Sequence, residues 1–291
     1  MNEVEPFVAT QDEVGETPLW IPEEQALYWI DVEGKRVHRA AGAARSVQTF
    51  ALDFPITALA RRASGGWIAA AKTGLYFWDH RTGRSEFIVN PVADRPDLRF
   101  NDGAVDREGR FLIGTMNQKD LAAPDGSLYR LDPDRSIHKL DTGLAVANGI
   151  GFSLSGETVY VTDMFHGCLL AYDYDTSAGT VSRRRTFAAV PPEAGVPDGL
   201  IVDSEGFIWS AHWGGWRITR YDPRGRIERT LKLPVANPTC MAFGGKEMDE
   251  LYVTSAWFML GEADRRAQPQ AGDLFRIRTD VRGLAEPAFA G

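Results

Sequence analysis

The chain has 291 residues, of which 44% are hydrophobic and 25% are charged. This composition is typical of a globular protein with a sizeable core, built as two ordinary domains or as one large all-β domain. The formal net charge of −8 argues against a nucleic-acid or anionic-membrane partner, because both favour basic surfaces.

Signals for export or membrane insertion are missing from the sequence. Residues 1–6 form neither a basic nor an apolar segment, so we expect no signal peptide. No apolar run is long enough to span a membrane, so we expect no membrane partner and a cytoplasmic location. The two cysteines, Cys168 and Cys240, are too few for a disulfide framework, and we expect buried free thiols.

One short pattern recurs six times along the chain. Each copy has an anchor position, a short apolar strand, a turn and a second apolar strand, which is a hairpin signal. The six anchors are Glu16, Ile56, Asn101, Asn148, Asp198 and Thr239. They are separated by 40, 45, 47, 50 and 41 residues, which is the spacing of propeller blades.

The rest of each repeat supplies the outer part of a blade. A third strand follows in every repeat, and a more polar fourth strand follows in five of them. Because the sixth repeat ends too early, we expect residues 6–10 to provide its outer strand and to close the ring. The fold class predicted is all-β: a six-bladed β-propeller of four-stranded antiparallel blades. It forms a single domain over residues 1–291, with almost no helix.

Three anchors carry oxygen ligands suited to a hard divalent cation. Equivalent strand starts converge on a propeller axis, so Glu16, Asn148 and Asp198 are predicted to meet there. Two carboxylates brought together without a cation would repel each other. Oxygen ligands of this kind suit calcium, magnesium or manganese, and zinc is kept as a further candidate. One divalent metal ion is therefore the expected cofactor.

The alternative is that the anchors are polar residues that merely start strands, where Asn, Asp and Thr are common. Glu16 fits that alternative poorly, since Glu is neither a favoured turn residue nor a good strand residue. Asp163 could support the metal ligands or could be a solvated strand end. His212 could line the site or pack in the core.

Several ordered motifs resemble those of the gluconolactonase/regucalcin (senescence marker protein) family. The motifs are Gly15–Trp20, Arg99–Asp106, Gly114–Met116, Ala147–Ile150, Pro197–Gly199 and Pro238–Gly245. The resemblance as a whole extends from about Glu13 to Ile277. The resemblance implies a six-bladed propeller that holds one divalent metal and hydrolyses sugar lactones.

Residue by residue, the resemblance implies that Glu16, Asn148 and Asp198 are the metal ligands and that Asp198 is also the general base. It implies that Arg99 and Asn101 contact the substrate. Where some members have a substrate-binding Glu, this chain has Lys119 as its nearest equivalent, so substrate preference cannot be copied from them. From the residues alone, Arg99 could be a surface charge, and Asp102 is expected to orient backbone in its turn.

The predicted function is metal-dependent hydrolysis of a sugar lactone to the aldonic acid, with a small-molecule partner only. Two alternatives stay open: a metal-binding regulatory propeller without turnover, and an esterase or phosphotriesterase on the same fold. Residues 257–260, Trp-Phe-Met-Leu, could line a site for such an apolar ester.

Overall fold

The computed structural model of the protein describes residues 3–41 and 46–291. Across these residues, twenty-four strands form six four-stranded sheets in which every strand pair is antiparallel. This is the sheet composition of a six-bladed β-propeller, and the predicted fold class is confirmed.

The described chain divides into two compact units of three sheets each. The first unit comprises residues 1–55 and 190–285. One of its sheets contains β2 (Gly15–Ile21), β3 (Ala26–Asp31), β4 (Arg36–Ala41) and β5 (Ser46–Ala51). The next contains β18 (Val196–Val202), β19 (Ile208–Trp213), β20 (Arg217–Tyr221) and β21 (Ile227–Lys232). The third has the order β1 (Val4–Val8), β24 (Leu274–Arg278), β23 (Glu250–Ser255) and β22 (Pro238–Gly244).

The second unit comprises residues 56–189 and 286–291. Its first sheet contains β6 (Ile56–Arg61), β7 (Trp67–Ala71), β8 (Gly74–Asp79) and β9 (Arg84–Val89). The next contains β10 (Leu98–Val105), β11 (Phe111–Asn117), β12 (Gly126–Leu131) and β13 (Ile137–Leu144). The last contains β14 (Ala147–Phe152), β15 (Thr158–Asp163), β16 (Cys168–Asp175) and β17 (Thr180–Ala189).

The N-terminal strand completes the sheet that the end of the chain leaves short. Strand β1 pairs antiparallel with β24, with Val4 opposite Ile277, so the predicted closure is confirmed, two residues earlier in the chain than expected. An ion pair of 2.6 Å between Arg276 and Glu5 supports the same pairing. The closure covers an edge that would otherwise be open to pairing.

The inner strands are buried on both faces, which explains why they read as continuous apolar runs. In β11, Leu112 packs in one hydrophobic cluster and its neighbour Ile113 in another. Successive strand residues point to opposite faces, so each face of this sheet contributes to a separate core. Both residues are fully buried.

The C-terminal segment is fastened to the second unit. Phe289 is fully buried, its amide donates to the carbonyl oxygen of Arg61, and its own carbonyl accepts from Ala63. The Ala290 amide donates to the carbonyl oxygen of Gly109, 2.9 Å away. These contacts hold the last residues of the chain, just after Glu286, against the second unit.

Two short helical segments were not predicted. A six-residue helix, α1 (Glu262–Ala267), lies in the long loop after β23, and a single 3₁₀ turn spans Pro192–Ala194. Within the described residues, no helix is long and apolar enough to cross a membrane. Both cysteines are free; Cys240 is buried as predicted, whereas Cys168 is only half-buried.

Candidate metal centre and substrate site

Every first strand of the six sheets contains a β-bulge at its anchor position. Where this strand pairs with the second strand of its repeat, it carries one residue more than its partner. The extra residue lies in the segments 16–19, 56–58, 100–103, 148–150, 197–200 and 238–241. A bulge bends the strand and re-aims the side chains beside it. The six anchors therefore share a special backbone geometry that alternation of residue types does not predict.

In the first unit, the side chain of Glu16 folds back onto its own strand. Its Oε2 accepts a hydrogen bond from the amide of Thr17, 3.1 Å away. Thr17 has a positive φ of 44°, a strained conformation for a β-branched residue. Strain of this kind persists where surrounding structure holds it and is concentrated at functional sites.

Asp198 lies within the bulge of β18 and is 2% exposed. The residue after it, Gly199, packs directly on the next sheet, because a Cβ at this position would lie 2.6 Å from the Sγ of Cys240. Only glycine allows this close approach. The backbone that carries Asp198 is thus held against the bulge of β22.

The bulge of β22 also contacts the start of β2. Thr239 donates from its Oγ1 to the carbonyl oxygen of Gly15, 2.5 Å away. Glu16 and Asp198 therefore lie on the two strands that flank Thr239, and the first unit brings two of the three predicted ligands to one end of adjacent sheets.

In the second unit, Asn148 is 4% exposed and its amide group is oriented by two contacts. Oδ1 accepts from the amide of Gly149 at 2.9 Å, and Nδ2 contacts the Sδ of Met164 at 3.6 Å. The Gly149 contact identifies Oδ1 as the oxygen, which is the ligand atom that a hard cation prefers.

The predicted substrate residues Arg99 and Asn101 are joined to the strand of Asn148. Arg99 donates from Nη1 to the Oδ1 of Asn101 at 3.1 Å. Asn101 donates from Nδ2 to the carbonyl oxygen of Ala147 at 3.2 Å. Both side chains are half-buried, so Arg99 is not simply a surface charge. The second unit therefore brings Arg99, Asn101 and Asn148 together.

Lys119 is exposed in the loop after β11 and is not part of this network. Its backbone amide donates to the Oδ1 of Asn117 at 2.9 Å. The pKa of Asp97 is lowered mainly by a hydrogen bond from Arg95, and the charge of Lys119 adds a small effect in the same direction. The structure thus fixes the backbone of Lys119 and leaves its substrate role a prediction.

Asp102 has the backbone-orienting role that was expected, and it also has a charged neighbour that the sequence did not reveal. Its Oδ1 accepts from the amide of Gly103 at 2.7 Å. Burial raises the pKa of Asp102 to about 6, against the hydrogen bonds from Gly103 and Gly149. Glu286 is partly exposed to solvent. Desolvation by the surrounding protein is the larger cause, and repulsion from Asp102 the smaller, that raises its pKa to about 7.

Asp163 is buried, at 1% exposure, and so is not a solvated strand end. Its Oδ1 accepts from the amide of Ala145 at 2.9 Å, and its Oδ2 lies 2.8 Å from the Nδ1 of His166. His166 sits outside the predicted site, and no spacing in the sequence singles it out.

His212 is also buried, at 1% exposure. Its Nδ1 donates to the carbonyl oxygen of Ala194 at 3.0 Å, and its Nε2 makes no hydrogen bond. Burial lowers the pKa of His212 to about 4, so the ring is neutral at pH 7. Since His212 pairs with the residue before Asp198, it helps to hold the start of β18.

The predicted ligands carry oxygen donors of the kind that hard divalent cations prefer: the carboxylates of Glu16 and Asp198 in the first unit and the amide oxygen of Asn148 in the second. Among the described residues, the buried side-chain atoms without a hydrogen-bond partner include the Oγ1 of Thr17, which follows Glu16 in the chain, the Oγ1 of Thr162, which is paired with Asn148, and the Nε2 of His212, which is paired with Pro197. Buried polar atoms are normally satisfied. In the part of the chain that is described, no group of three or more His, Cys, Asp or Glu could hold a metal. The predicted ligands agree with this result, since Glu16 and Asp198 are the only two of these residue types among them and the third, Asn148, is an amide.

The chain is similar to known proteins over most of its length. Residues 14–257 match the family model described as SMP-30/Gluconolactonase/LRE-like region. Regucalcin from Xenopus laevis is 36% identical over 99% of this chain and 98% of its own length. The crystal structure of a calcium-binding protein, regucalcin, from Agrobacterium tumefaciens superposes with a TM-score of 0.94 at 29% identity, covering 100% of this chain and 98% of that one.

A gluconolactonase from Xanthomonas campestris shares the fold alone. It superposes with a TM-score of 0.77 at 23% identity and covers 95% of this chain and 89% of its own.

Proposed function

Because the chain belongs to the SMP-30/gluconolactonase/LRE-like family, we propose that it is a metal-dependent lactonase that opens a sugar lactone to its aldonic acid. Glu16, Asn148 and Asp198 would hold one divalent cation. Their oxygen atoms favour calcium, magnesium or manganese. When bound, such a cation supplies Lewis acidity toward a carbonyl oxygen.

Asp198 is proposed as the general base. It is buried and its backbone is fixed by the close packing of Gly199 on Cys240, which limits the movement of the carboxylate. Asp198 would take a proton from the attacking water. The water oxygen bonds to the carbonyl carbon, the bond from that carbon to the ring oxygen breaks, and the ring oxygen receives a proton. The products are a hydroxyl group and a carboxylic acid, which releases one proton at neutral pH.

Arg99 and Asn101 are proposed to bind sugar hydroxyls and so to orient the ring. The hydrogen bond between them at 3.1 Å reduces the freedom that each side chain loses when substrate binds. Lys119 would reach the substrate from its exposed loop. Its charge differs in sign from the Glu of some relatives, so it is expected to alter which lactone is preferred.

The observation that carries this proposal is the joined set of Arg99, Asn101 and Asn148. An apolar ester would not need a half-buried Arg–Asn pair, whereas a polyhydroxylated ring offers several hydrogen-bonding groups to it. Full-length identity to regucalcin at 36% supports the family.

The direct test is a pH-indicator assay of acid release. Aldonolactones of five- and six-membered rings, an unsubstituted lactone and one phosphotriester are compared with and without a chelator. We expect turnover of at least one aldonolactone that the chelator abolishes and added cation restores. Absence of turnover on every lactone at saturating cation would contradict the proposal.

A metal-binding regulatory role without turnover is the second candidate. It is supported by the name of the Agrobacterium relative, which is described as a calcium-binding protein. Calorimetry that detects tight calcium binding in a protein inactive on all lactones would favour it.

An esterase with an apolar substrate is supported by Phe258 and Met259, which are 39% and 73% exposed in the first unit. Faster turnover of the phosphotriester than of any lactone in the same assay would favour that alternative.

A further inference from the structure

The turn between β15 and β16, residues 164–167, lies beside Asn148. The amide of Met164 donates to the carbonyl oxygen of Val146 at 3.0 Å, and its Sδ contacts the Nδ2 of Asn148. In the strand pairing, Ala147 is opposite Asp163. The turn therefore belongs to the same end of the sheet as the predicted ligand and the Asn101 contact.

His166, in this turn, forms an oriented pair with Asp163. Its Nδ1 lies 2.8 Å from the Oδ2 of Asp163. A carboxylate only accepts hydrogen bonds, so Nδ1 carries a hydrogen, and in the neutral imidazole Nε2 is then the acceptor. The His166 side chain is 44% exposed, whereas that of Asp163 is 1% exposed. The imidazole is thus accessible to solvent, and its orienting partner is not.

Asp163 is fixed independently of His166. Asp163 accepts a hydrogen bond from the amide of Ala145 at 2.9 Å, and its Oδ2 lies 3.5 Å from the Nη2 of Arg184. The Nη1 of Arg184 pairs in turn with Asp141 at 3.2 Å. Because the carboxylate is anchored, the imidazole ring loses little additional freedom when a ligand binds to it.

An ordinary surface histidine does not need this arrangement. His138 offers the comparison: it also lies near a carboxylate, Asp132, at 3.2 Å, with exposed fractions of 48% and 20% for the two side chains. It lies in the outer strand β13, whereas His166 belongs to a turn whose Met164 contacts Asn148. A buried carboxylate must be paired or hydrogen-bonded to offset its lost hydration. Asp163 meets this requirement in part through His166, whose exposed imidazole it orients.

We propose that His166 is a specificity residue that accepts a hydrogen bond from a substrate hydroxyl through Nε2. The proposal rests on the proposed lactonase function. The group that His166 recognises is a hydroxyl on the lactone ring or on its side chain. Asp163 is the positioning residue that fixes the tautomer. A lactone without hydroxyls has no donor for Nε2, so its hydrolysis is independent of His166.

Two substrates with the same ester ring separate recognition from chemistry. Glucono-1,5-lactone carries hydroxyls, and δ-valerolactone carries none. For His166→Ala we expect KM for gluconolactone to rise about tenfold, the effect of one lost hydrogen bond, with kcat nearly unchanged, since uniform binding is removed. The specificity constant for δ-valerolactone should stay as in the wild type.

His166→Gln keeps a side-chain acceptor and should recover part of the lost affinity, and His138→Ala is the matched control with wild-type constants. Equal losses on both lactones would overturn the proposal, because they would indicate a role in chemistry or folding. An unchanged KM for gluconolactone would overturn it as well.

A binding measurement tests the proposal without turnover. In the ¹⁵N-labelled wild-type protein, the Nε2 resonance of His166 should shift on addition of gluconolactam, a non-hydrolysable probe, while that of His138 stays in place. If side-chain resonances of Arg99 shift and that of His166 does not, His166 is not a substrate contact. A wild-type protein inactive on both lactones counts against the lactonase function instead, and the resonance shift still decides the role of His166.

Discussion

The side-chain amide of Asn101 donates a hydrogen bond to the backbone carbonyl oxygen of Ala147, 3.2 Å away. The two residues are 46 positions apart and belong to neighbouring sheets. Because Ala147 immediately precedes Asn148, this contact ties a predicted substrate residue to the strand of a predicted metal ligand.

Replacement of Asn101 tests this connection. Asn101→Ala removes the bond to Ala147 and the acceptor for Arg99, and we expect it to cost about 1 kcal/mol of unfolding free energy and to raise KM for the sugar lactone. Asn101→Asp keeps the acceptor for Arg99 but loses the donor. Urea unfolding and steady-state kinetics measure the two effects. A variant with wild-type KM would remove Asn101 from the substrate site.

Replacement of Asp198 tests the general base. Asp198→Asn keeps the shape of the side chain but cannot accept a proton, so kcat should fall by about 10²- to 10⁴-fold. Asp280→Asn, at an exposed aspartate paired with Arg229, is the control and should keep wild-type activity. Retention of normal kcat in Asp198→Asn would refute the assignment.

Cation binding should stabilise the protein through Glu16. At a free calcium concentration about 100 times Kd, the unfolding free energy should rise by about 2.7 kcal/mol. In Glu16→Gln the same addition should have little effect, because one carboxylate ligand is lost. Glu108→Gln, on the exposed surface, should respond as the wild type does. Thermal unfolding with cation and with chelator gives the comparison, and an equal response in all three proteins would contradict the ligand assignment.

The close approach at Gly199 predicts a strong packing effect. Gly199→Ala would place a Cβ 2.6 Å from Cys240 Sγ and 2.8 Å from its Cα, and overpacking of this kind costs about 1–3 kcal/mol. Gly261→Ala is the control, since the nearest atom that an added Cβ would meet, Oδ2 of Asp264, lies 3.7 Å away. Chemical unfolding should separate the two variants, and equal stabilities would show that the sheets shift without cost.

The pair Asp102 and Glu286 predicts a pH dependence of stability. Their folded-state pKa values, about 6 and about 7, lie above the ordinary values of 3.8 and 4.5, so the native state binds more protons than the unfolded chain between these limits. The stability they contribute is complete in acid, below the ordinary values, and is lost as the pH rises through 6 and 7.

Glu286→Gln removes the second of these titrations. The variant should therefore lose less stability than the wild type between pH 5 and pH 8, as measured by urea unfolding at both values. An identical pH dependence in the two proteins would show that Glu286 titrates normally.

The sequence by itself determined the blades. Strand signals are local, because alternating faces and Gly turns act over a few neighbouring residues, and six repetitions of them gave the number of sheets. The unpaired sixth repeat also indicated that the N-terminal strand would pair with β24, as Val4 and Ile277 do. The short helix α1 was missed because six exposed residues carry no apolar periodicity.

Only the tertiary structure decided how the site residues are held. The extra residue at each anchor is a property of strand pairing, and the alternation of residue types is the same with or without it. Glu286 interacts with Asp102, 184 positions away in the chain, and Asn101 meets Ala147 where two sheets pack. Contacts between residues far apart in the chain depend on the packing of whole sheets, which no local pattern records.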